Sequence, residues 1–196
     1  MNKALWIVTV DNYQPDLCQL TLPNLEAYAK RIGAEFHVIK DRAWPLVSPT
    51  YEKLQVHKLG KDYDWNLILD ADMFVDDTMS DPTTIVPDTM VASWMCYDAA
   101  VQFPCDAYFY RDARKLGVST SFIVVPKSCH DALTPFDGDE VERAASIKRP
   151  FILDEYCVSR NVARYGLKYC GILSDLQNPP FRHLNSTSGH DSCING

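Results

Sequence analysis

An α/β fold with a parallel sheet flanked by helices is predicted for this chain of 196 residues, on three observations. Residues 5–10 form a continuous apolar run of strand length. Apolar residues then recur at helical spacing as far as Ile32, directly before Gly33, which suits the end of a helix. Residues 34–40 alternate in polarity, as a strand does. These patterns predict a βαβ unit with a right-handed crossover, and hence a parallel sheet.

The rest of the chain predicts further strands and helices. Thr50 is expected to cap a helix over residues 51–59, which Gly60 ends. Residues 67–69 are a short apolar run of the kind found in buried parallel strands. The later elements are a strand at 90–94, a strand at 121–125, a helix beginning within 136–142, a helix at 154–165 and a strand at 167–173. Since no repeat or linker divides the chain, one domain over residues 1–196 is predicted.

The charge of the chain restricts its ligands. The formal net charge is −7. This disfavours binding to nucleic acid, which depends on many Lys and Arg side chains that neutralise phosphates. An anionic ligand would therefore be held locally, for instance by a cation bound to carboxylates.

The cysteines and the first residues bear on the cellular setting. The seven cysteines are odd in number and include no C-x-x-C pair, which disfavours a zinc ribbon or a redox dithiol. The apolar run at residues 5–10 is too short to span a membrane, and no small-residue cleavage site follows it. Reduced thiols, no transmembrane segment and a cytoplasmic location are the resulting expectation.

Asp70 and Asp72 directly follow the apolar run at residues 67–69. In an extended backbone, residues i and i+2 point to the same side, about 6–7 Å apart, so both carboxylates are expected to reach one cation. Such oxygen ligands favour Mg²⁺ or Mn²⁺, which often bind through one or two carboxylates plus the phosphates of a substrate. Two polar residues that merely cap a strand are the alternative. Their place at the carboxyl end of a strand, where open α/β sheets bind ligands, favours the metal site.

Residues 67–75 resemble the D-x-D segment of the GT-A glycosyltransferases, and the predicted βαβ unit that precedes them resembles the nucleotide-binding half of that family. Further segments resemble that family in the same order: residues 50–54, 119–124, 151–155 and 181–185. The chain is also similar to the glycosyltransferase domains of large algal DNA viruses, which implies the cytoplasm of the host. The resemblance implies a GT-A (Rossmann-like) single-domain fold with a central, mostly parallel mixed sheet flanked by helices. Its nucleotide-binding half would be residues 1–75 and its sugar and acceptor half residues 76–196.

The same resemblance implies the ligands. The donor would be a UDP-sugar, with a UDP-hexose such as UDP-glucose favoured, and the acceptor a glycan or a protein-linked glycan. Asp70 and Asp72 would bind Mn²⁺ or Mg²⁺, and Asp70 and Ala71 would also contact the nucleotide. His183, in the tail, would be the third protein ligand of the cation, with His190 as its rival.

Four residues where the first strand ends are candidates for binding the uracil: Thr9, Val10, Asp11 and Tyr13. Ordinary loop packing explains Tyr13 equally well. Lys53 is a candidate to oppose the diphosphate, although lysines on helices are usually solvated.

Asp154 and Glu155 are the catalytic candidates. Either carboxylate could deprotonate the acceptor hydroxyl in an inverting reaction or stabilise the sugar cation in a retaining one. His37, His57 and His130 are interpreted as structural.

Two rival functions stay open. Haloacid-dehalogenase-type phosphatases also present Asp-x-Asp after an apolar strand, but usually on the first strand and with Thr or Val where Phe74 stands here. The other rival is a non-catalytic domain that binds a nucleotide sugar and leaves the acceptor to further domains of a longer chain.

Overall fold

The computed structural model of the chain describes residues 1–98, 116–145, 152–172 and 181–183. The strands among them are β1 (Lys3–Val8), β2 (Glu35–Ile39), β3 (Trp65–Leu69), β4 (Met73–Val75), β5 (Met90–Ser93), β6 (Cys96–Asp98), β7 (Leu116–Val118), β8 (Phe122–Pro126), β9 (Lys168–Gly171) and β10 (Phe181–His183). The α-helices are α1 (Pro15–Ile32), α2 (Val56–Leu59), α3 (Gly138–Ala145) and α4 (Leu153–Arg164). Short 3₁₀ segments lie at Val10–Asn12, Pro49–Gln55, Pro82–Thr84 and Lys127–Leu133.

A six-stranded sheet in the order β2-β1-β3-β8-β5-β9 organises the fold. β1 is parallel to β2 and β3, and β5 is parallel to β9. β8 is antiparallel to both of its neighbours, β3 and β5. The predicted mixed, mostly parallel sheet is therefore confirmed. Two small antiparallel pairs, β4 with β10 and β6 with β7, accompany the main sheet.

The predicted opening βαβ unit is present. β1 and β2 are parallel neighbours, and α1 connects them. α1 ends at Ile32, and Gly33 adopts the left-handed conformation with φ of 68° while its N–H donates to the carbonyl of Lys30 at 3.2 Å. Alternate residues of β1 enter two different apolar clusters, Ala4 and Trp6 in one, and Leu5 and Ile7 in the other. Both faces of the sheet are thus covered, as expected for parallel strands.

The predicted helix over residues 51–59 is only partly correct. A 3₁₀ segment spans Pro49–Gln55, and α2 covers only Val56–Leu59. Thr50 does not cap a helix, because Pro49 starts the 3₁₀ segment one residue earlier and Ser48 precedes it. Tyr51, Glu52, Lys53 and Leu54 are all buried, so tertiary contacts on every side of this segment outweigh the helical pattern.

Most later predictions match the structure within a few residues. The strands expected at 90–94, 121–125 and 167–173 correspond to β5, β8 and β9, and the helices correspond to α3 and α4. The short strands β4, β6, β7 and β10 were not predicted, since three residues carry too little periodicity. None of the described helices is both long and apolar enough to cross a membrane. The cysteines whose thiols the structure describes are free: Cys18, Cys129, Cys157 and Cys170.

Gly60 follows α2 at a point where no side chain fits. A Cβ there would lie 2.2 Å from Oδ1 of Asn66 and 2.9 Å from Cγ1 of Val56. Asn66 is itself fixed, because its Nδ2 donates to the Gly60 carbonyl at 2.9 Å and its Oδ1 accepts from the Trp6 indole at 2.8 Å. We expect Gly60→Ala to lower the free energy of unfolding in urea by about 1–3 kcal/mol through overpacking.

Gly138→Ala is the matched control, since a Cβ at Gly138 meets no described atom within 4 Å. Equal losses of unfolding free energy in the two variants would contradict the packing argument.

Candidate active site

A cleft opens where β1 and β3 end. Nine residues line it: Val8, Val10, Tyr13, Pro49, Thr50, Lys53, Asp70, Ala71 and Asp72. They come from three segments: the last residue of β1 with the loop after it, the 3₁₀ segment Pro49–Gln55, and the turn after β3. Six of the residues that sequence reasoning singled out therefore meet in one place: Val10, Tyr13, Lys53, Asp70, Ala71 and Asp72.

The acidic pair lies in a turn. The N–H of Met73 donates to the carbonyl of Asp70 at 3.1 Å, and the N–H of Asp70 donates to the carbonyl of Ser121 at 2.9 Å. The expected extended backbone for residues 70–72 is therefore wrong, because β3 ends at Leu69 and the chain turns before β4 begins. Both carboxylates nevertheless face the same cleft.

Tyr13 contacts the second carboxylate of the pair. Asp72 is only 4% exposed, and the Tyr13 hydroxyl donates to its Oδ2 at 3.1 Å. The loop that carries Tyr13 has three non-glycine residues in the left-handed region, Asp11, Asn12 and Gln14, with φ of 58°, 54° and 36°. Such conformations cost on the order of 1 kcal/mol each and concentrate at functional sites. Nothing in the sequence pattern predicted this strained loop.

Lys53 is buried and paired twice. Its Nζ lies 2.6 Å from Oδ1 of Asp70 and 2.9 Å from Oδ2 of Asp154, and 3.3 Å from the Thr120 hydroxyl. Burial by itself lowers the pKa of Lys53, but the charges of Asp154 and Asp70 and the hydrogen bonds to both raise that pKa above its ordinary value. The ammonium is therefore a fixed positive charge at the wall of the cleft.

Asp154 and Glu155 occupy the first turn of α4 and differ in environment. Asp154 is 1% exposed, and its Oδ2 accepts from both Lys53 and the Thr120 hydroxyl. Glu155 is half-buried, and its Oε1 accepts from the Ser119 hydroxyl at 2.8 Å and from the N–H of Thr120 at 3.3 Å. Neither residue is part of the cleft lining itself.

Burial, reinforced by the charge of Asp154, raises the pKa of Glu155 from 4.5 to about 7. Because the pKa of Glu155 is raised in the folded state, this carboxyl group contributes stability that is fully present below its ordinary pKa. That contribution is lost as the pH rises through about 7. We expect Glu155→Gln, which mimics the neutral acid, to remove this loss. The measured quantity is the unfolding free energy of the variant in urea minus that of the parent. This difference should be larger at pH ~8 than at pH ~4, by on the order of 2 kcal/mol.

Glu142→Gln, at an exposed position of α3, is the control for this comparison. A pH dependence that is the same in the parent and in Glu155→Gln would show that Glu155 ionises normally in the fold.

Two of the residues predicted to bind the base do not line the cleft. The N–H of Thr9 donates to the carbonyl of Ile39 at 2.9 Å, which ties it to β2. The carboxylate of Asp11 is about half exposed and forms an ion pair with Arg42. Their contact with a base stays a prediction.

The last of the described strands lies beside the acidic turn. β10 is antiparallel to β4, and His183 is the register partner of Met73, the residue after Asp72. The backbone of His183 is thus close to the acidic pair, although 111 positions separate His183 from Asp72 in the sequence. His190 lies outside the described residues.

The donor atoms in the cleft fit a hard divalent cation. Asp70 and Asp72 supply carboxylate oxygens at one wall, which is the donor type that Mg²⁺ and Mn²⁺ prefer. Within the described side chains, no group of three or more His, Cys, Asp or Glu residues is arranged to hold a metal ion. Two carboxylates fill only part of the coordination shell of such a cation, which commonly also takes phosphate oxygens and water.

The sequence did not predict the role of Glu52, a buried carboxylate next to Lys53. Glu52 is fully buried, and its carboxylate accepts from the Arg42 guanidinium, from Gln55, and from the N–H groups of Ala43 and Trp44, at 2.8–2.9 Å. This carboxylate ties residues 42–44 to the 3₁₀ segment that brings Lys53 to the cleft. An acidic residue next to a lysine is usually solvated, so the sequence carried no signal for this contact.

No protein-family model and no curated protein sequence matches the chain. Solved structures do match it. A glycosyltransferase involved in the glycosylation of the major capsid of PBCV-1 is 13% identical, with a TM-score of 0.52 and 94% of each chain covered.

Two galactosyltransferases are similar in the same way. Galactosyltransferase LgtC, solved with donor and acceptor sugar analogs, is 17% identical with a TM-score of 0.51, and the match covers 86% of this chain and 73% of LgtC. A Drosophila galactosyltransferase, solved with manganese, UDP-Gal and xylobiose, is 15% identical with a TM-score of 0.51, and the match covers 94% of this chain and 71% of the other. With its mixed six-stranded sheet and flanking helices, the chain has the fold of the GT-A glycosyltransferases.

Proposed function

We propose that this chain is a metal-dependent glycosyltransferase that moves the sugar of a UDP-sugar, with UDP-glucose favoured, to a hydroxyl of a glycan or a protein-linked glycan. One observation carries the proposal: the two carboxylates Asp70 and Asp72 face the same cleft as Tyr13 and Lys53, at the carboxyl ends of β1 and β3. This is where open α/β sheets bind their ligands. The similar Drosophila enzyme, solved with manganese and UDP-Gal, supports the choice of metal and donor class.

The acidic turn would hold the cation against the diphosphate. A bound Mn²⁺ or Mg²⁺ offsets the negative charge that grows on the diphosphate as the sugar leaves. Asp70 and Asp72 would supply its carboxylate ligands, and His183 is proposed as a third. The hydrogen bond from Tyr13 orients the Asp72 carboxylate.

The wall of the cleft would bind the nucleotide. Val8 and Val10 offer apolar surface for a base, and Ala71, between the two aspartates, leaves room for a ribose. Thr9 and Asp11 are proposed to contact the base from the rim. In this arrangement residues 1–75 are the nucleotide-binding half, and residues 76–196 contribute the sugar and acceptor half.

Glu155 is proposed as the group that accepts the proton of the acceptor hydroxyl. A carboxylate with a pKa of about 7 is half ionised near neutral pH, where a general base works best. Its partner Asp154 is engaged with Lys53 and Thr120 instead. In a retaining reaction, the same two carboxylates would stabilise the positive charge of the sugar.

The test is a panel of UDP-sugars incubated with Mn²⁺, with the release of UDP as the readout. Hydrolysis or transfer with one donor supports the proposal. UDP binding with neither reaction, even with glycan acceptors added, would favour the non-catalytic domain. Release of phosphate from p-nitrophenyl phosphate with no turnover of UDP-sugars would favour the phosphatase.

Replacing the two tail histidines separates the candidate ligands of the cation. We expect His183→Ala to weaken Mn²⁺ binding about 10-fold or more in the presence of UDP, since losing one ligand of a small set is costly. His190→Ala should leave the affinity within about twofold, and isothermal titration calorimetry measures both. The reverse pattern would assign His190, and unchanged affinity in both variants would remove histidine from the site.

A further inference from the structure

Three charged side chains form a row from the cleft into the interior of the protein. Asp70 stands at the cleft with 25% of its side chain exposed, Lys53 follows at 7%, and Asp154 ends the row at 2%. The ammonium of Lys53 touches both carboxylates, at 2.6 Å and 2.9 Å. We refer to these residues as the Asp70–Lys53–Asp154 row.

We propose that Asp154 is a positioning residue that acts through Lys53 and sets how strongly the acidic pair attracts a divalent cation. The inference rests on the proposed function, because it concerns the cation that Asp70 and Asp72 would bind. It assigns Asp154 a task that needs no contact with the acceptor or the sugar.

Charge balance gives the physical reason. If Lys53 were paired only with Asp70, its ammonium would cancel the charge of that carboxylate and repel a divalent cation from it. With Asp154 on its other side, Lys53 is shared between two carboxylates, and the row keeps a net charge of about −1. Asp70 can then attract a divalent ion while the buried ammonium remains compensated.

The surroundings of Asp154 suit this task. Its Oδ2 accepts from Lys53 and from the Thr120 hydroxyl, so the carboxylate is held in one orientation. Its Oδ1 is buried and has no hydrogen-bond partner among the described residues. A carboxylate placed in this way directs its charge to Lys53 and has little access to solvent.

Variants that change the net charge of the row test the proposal. Asp154→Asn brings the row to about 0, Lys53→Met brings it to about −2, and the double variant returns it to about −1. Because Lys53 is nearer to a cation on Asp70 than Asp154 is, the expected order of Mn²⁺ affinity is Lys53→Met tightest, Asp154→Asn weakest by about tenfold relative to the parent, and the double variant at least as tight as the parent.

Free Mn²⁺ is measured by electron paramagnetic resonance during titration of the chain with Mn²⁺ alone. If the parent binds only with UDP present, all variants are compared at saturating UDP. Asp139→Asn, an exposed carboxylate in the first turn of α3, is the matched control and should stay within about twofold of the parent. Melting temperatures are recorded alongside.

The opposite directions of the two single variants distinguish charge from a structural defect. A structural role alone would weaken binding in both single variants, and that result overturns the proposal, as does an unchanged affinity in Asp154→Asn. If a single variant fails to fold, the double variant still decides, since a double variant that binds Mn²⁺ tenfold more weakly than the parent contradicts charge balance. A parent chain that binds no Mn²⁺ even with UDP contradicts the proposed function itself, which keeps the two failures apart.

Discussion

Replacing Asp72 by asparagine is expected to lower Mn²⁺-dependent turnover of the UDP-sugar by about a hundredfold or more. The substitution keeps the shape of the side chain and its hydrogen bond from Tyr13, but removes the negative charge that would hold the cation. Because the cation would stabilise charge that develops as the diphosphate leaves, its loss acts on the transition state more than on donor binding. Steady-state rates of UDP release at several Mn²⁺ concentrations measure the effect.

Two variants control this experiment. Asp77→Asn removes a fully exposed carboxylate on the loop after β4 and should leave the rate unchanged. Tyr13→Phe removes only the hydroxyl that donates to Asp72 and should lower the rate about tenfold or more, as the loss of one hydrogen bond to a charged group does. Full activity of Asp72→Asn would overturn the assignment of the acidic pair.

Removal of the Glu52 side chain is expected to have the largest effect on stability. Glu52→Ala leaves the Arg42 guanidinium, with 16% of its side chain exposed, without its buried partner and also leaves two backbone N–H groups unpaired. Arg42 keeps its ion pair with Asp11, so the loss comes from the hydrogen bonds that the buried Glu52 carboxylate accepts, and we expect it to be about 2–4 kcal/mol in total. The free energy of unfolding from urea titrations should fall by that amount, and UDP affinity should fall with it, because the segment anchored by Glu52 also carries Lys53.

Glu26→Ala, at an exposed position of α1, is the control and should change the unfolding free energy by less than about 0.5 kcal/mol. If Glu52→Ala costs no more than this control, residues 42–44 do not depend on the buried carboxylate.

Local signals in the sequence were sufficient for the main elements of the fold. The βαβ opening followed from the apolar periodicities and from Gly33, whose left-handed φ of 68° only glycine adopts at little cost. The place of Asp70 at the end of β3 followed from the apolar run at residues 67–69, and every residue of β3 is buried in the structure. These properties depend on residues close together in the chain, so a single sequence reveals them.

The turn at the acidic pair shows where local reasoning failed. Alternation in an extended strand was assumed to bring Asp70 and Asp72 to one side, whereas the hydrogen bond from Met73 to Asp70 closes a turn. Both carboxylates reach the cleft by a different geometry from the one expected. A short element is decided by the strands that it connects, here β3 and β4, more than by its own residues.

By itself, the sequence determined the class of fold and the position of the acidic pair at the edge of the sheet. Only the tertiary structure decided which charges surround that pair. Lys53 and Asp154 are 101 positions apart, and their ion pair forms because α4 packs against the Pro49–Gln55 segment. Buried charges interact strongly only after the chain has excluded water from between them, and no local pattern encodes which distant partner will be there.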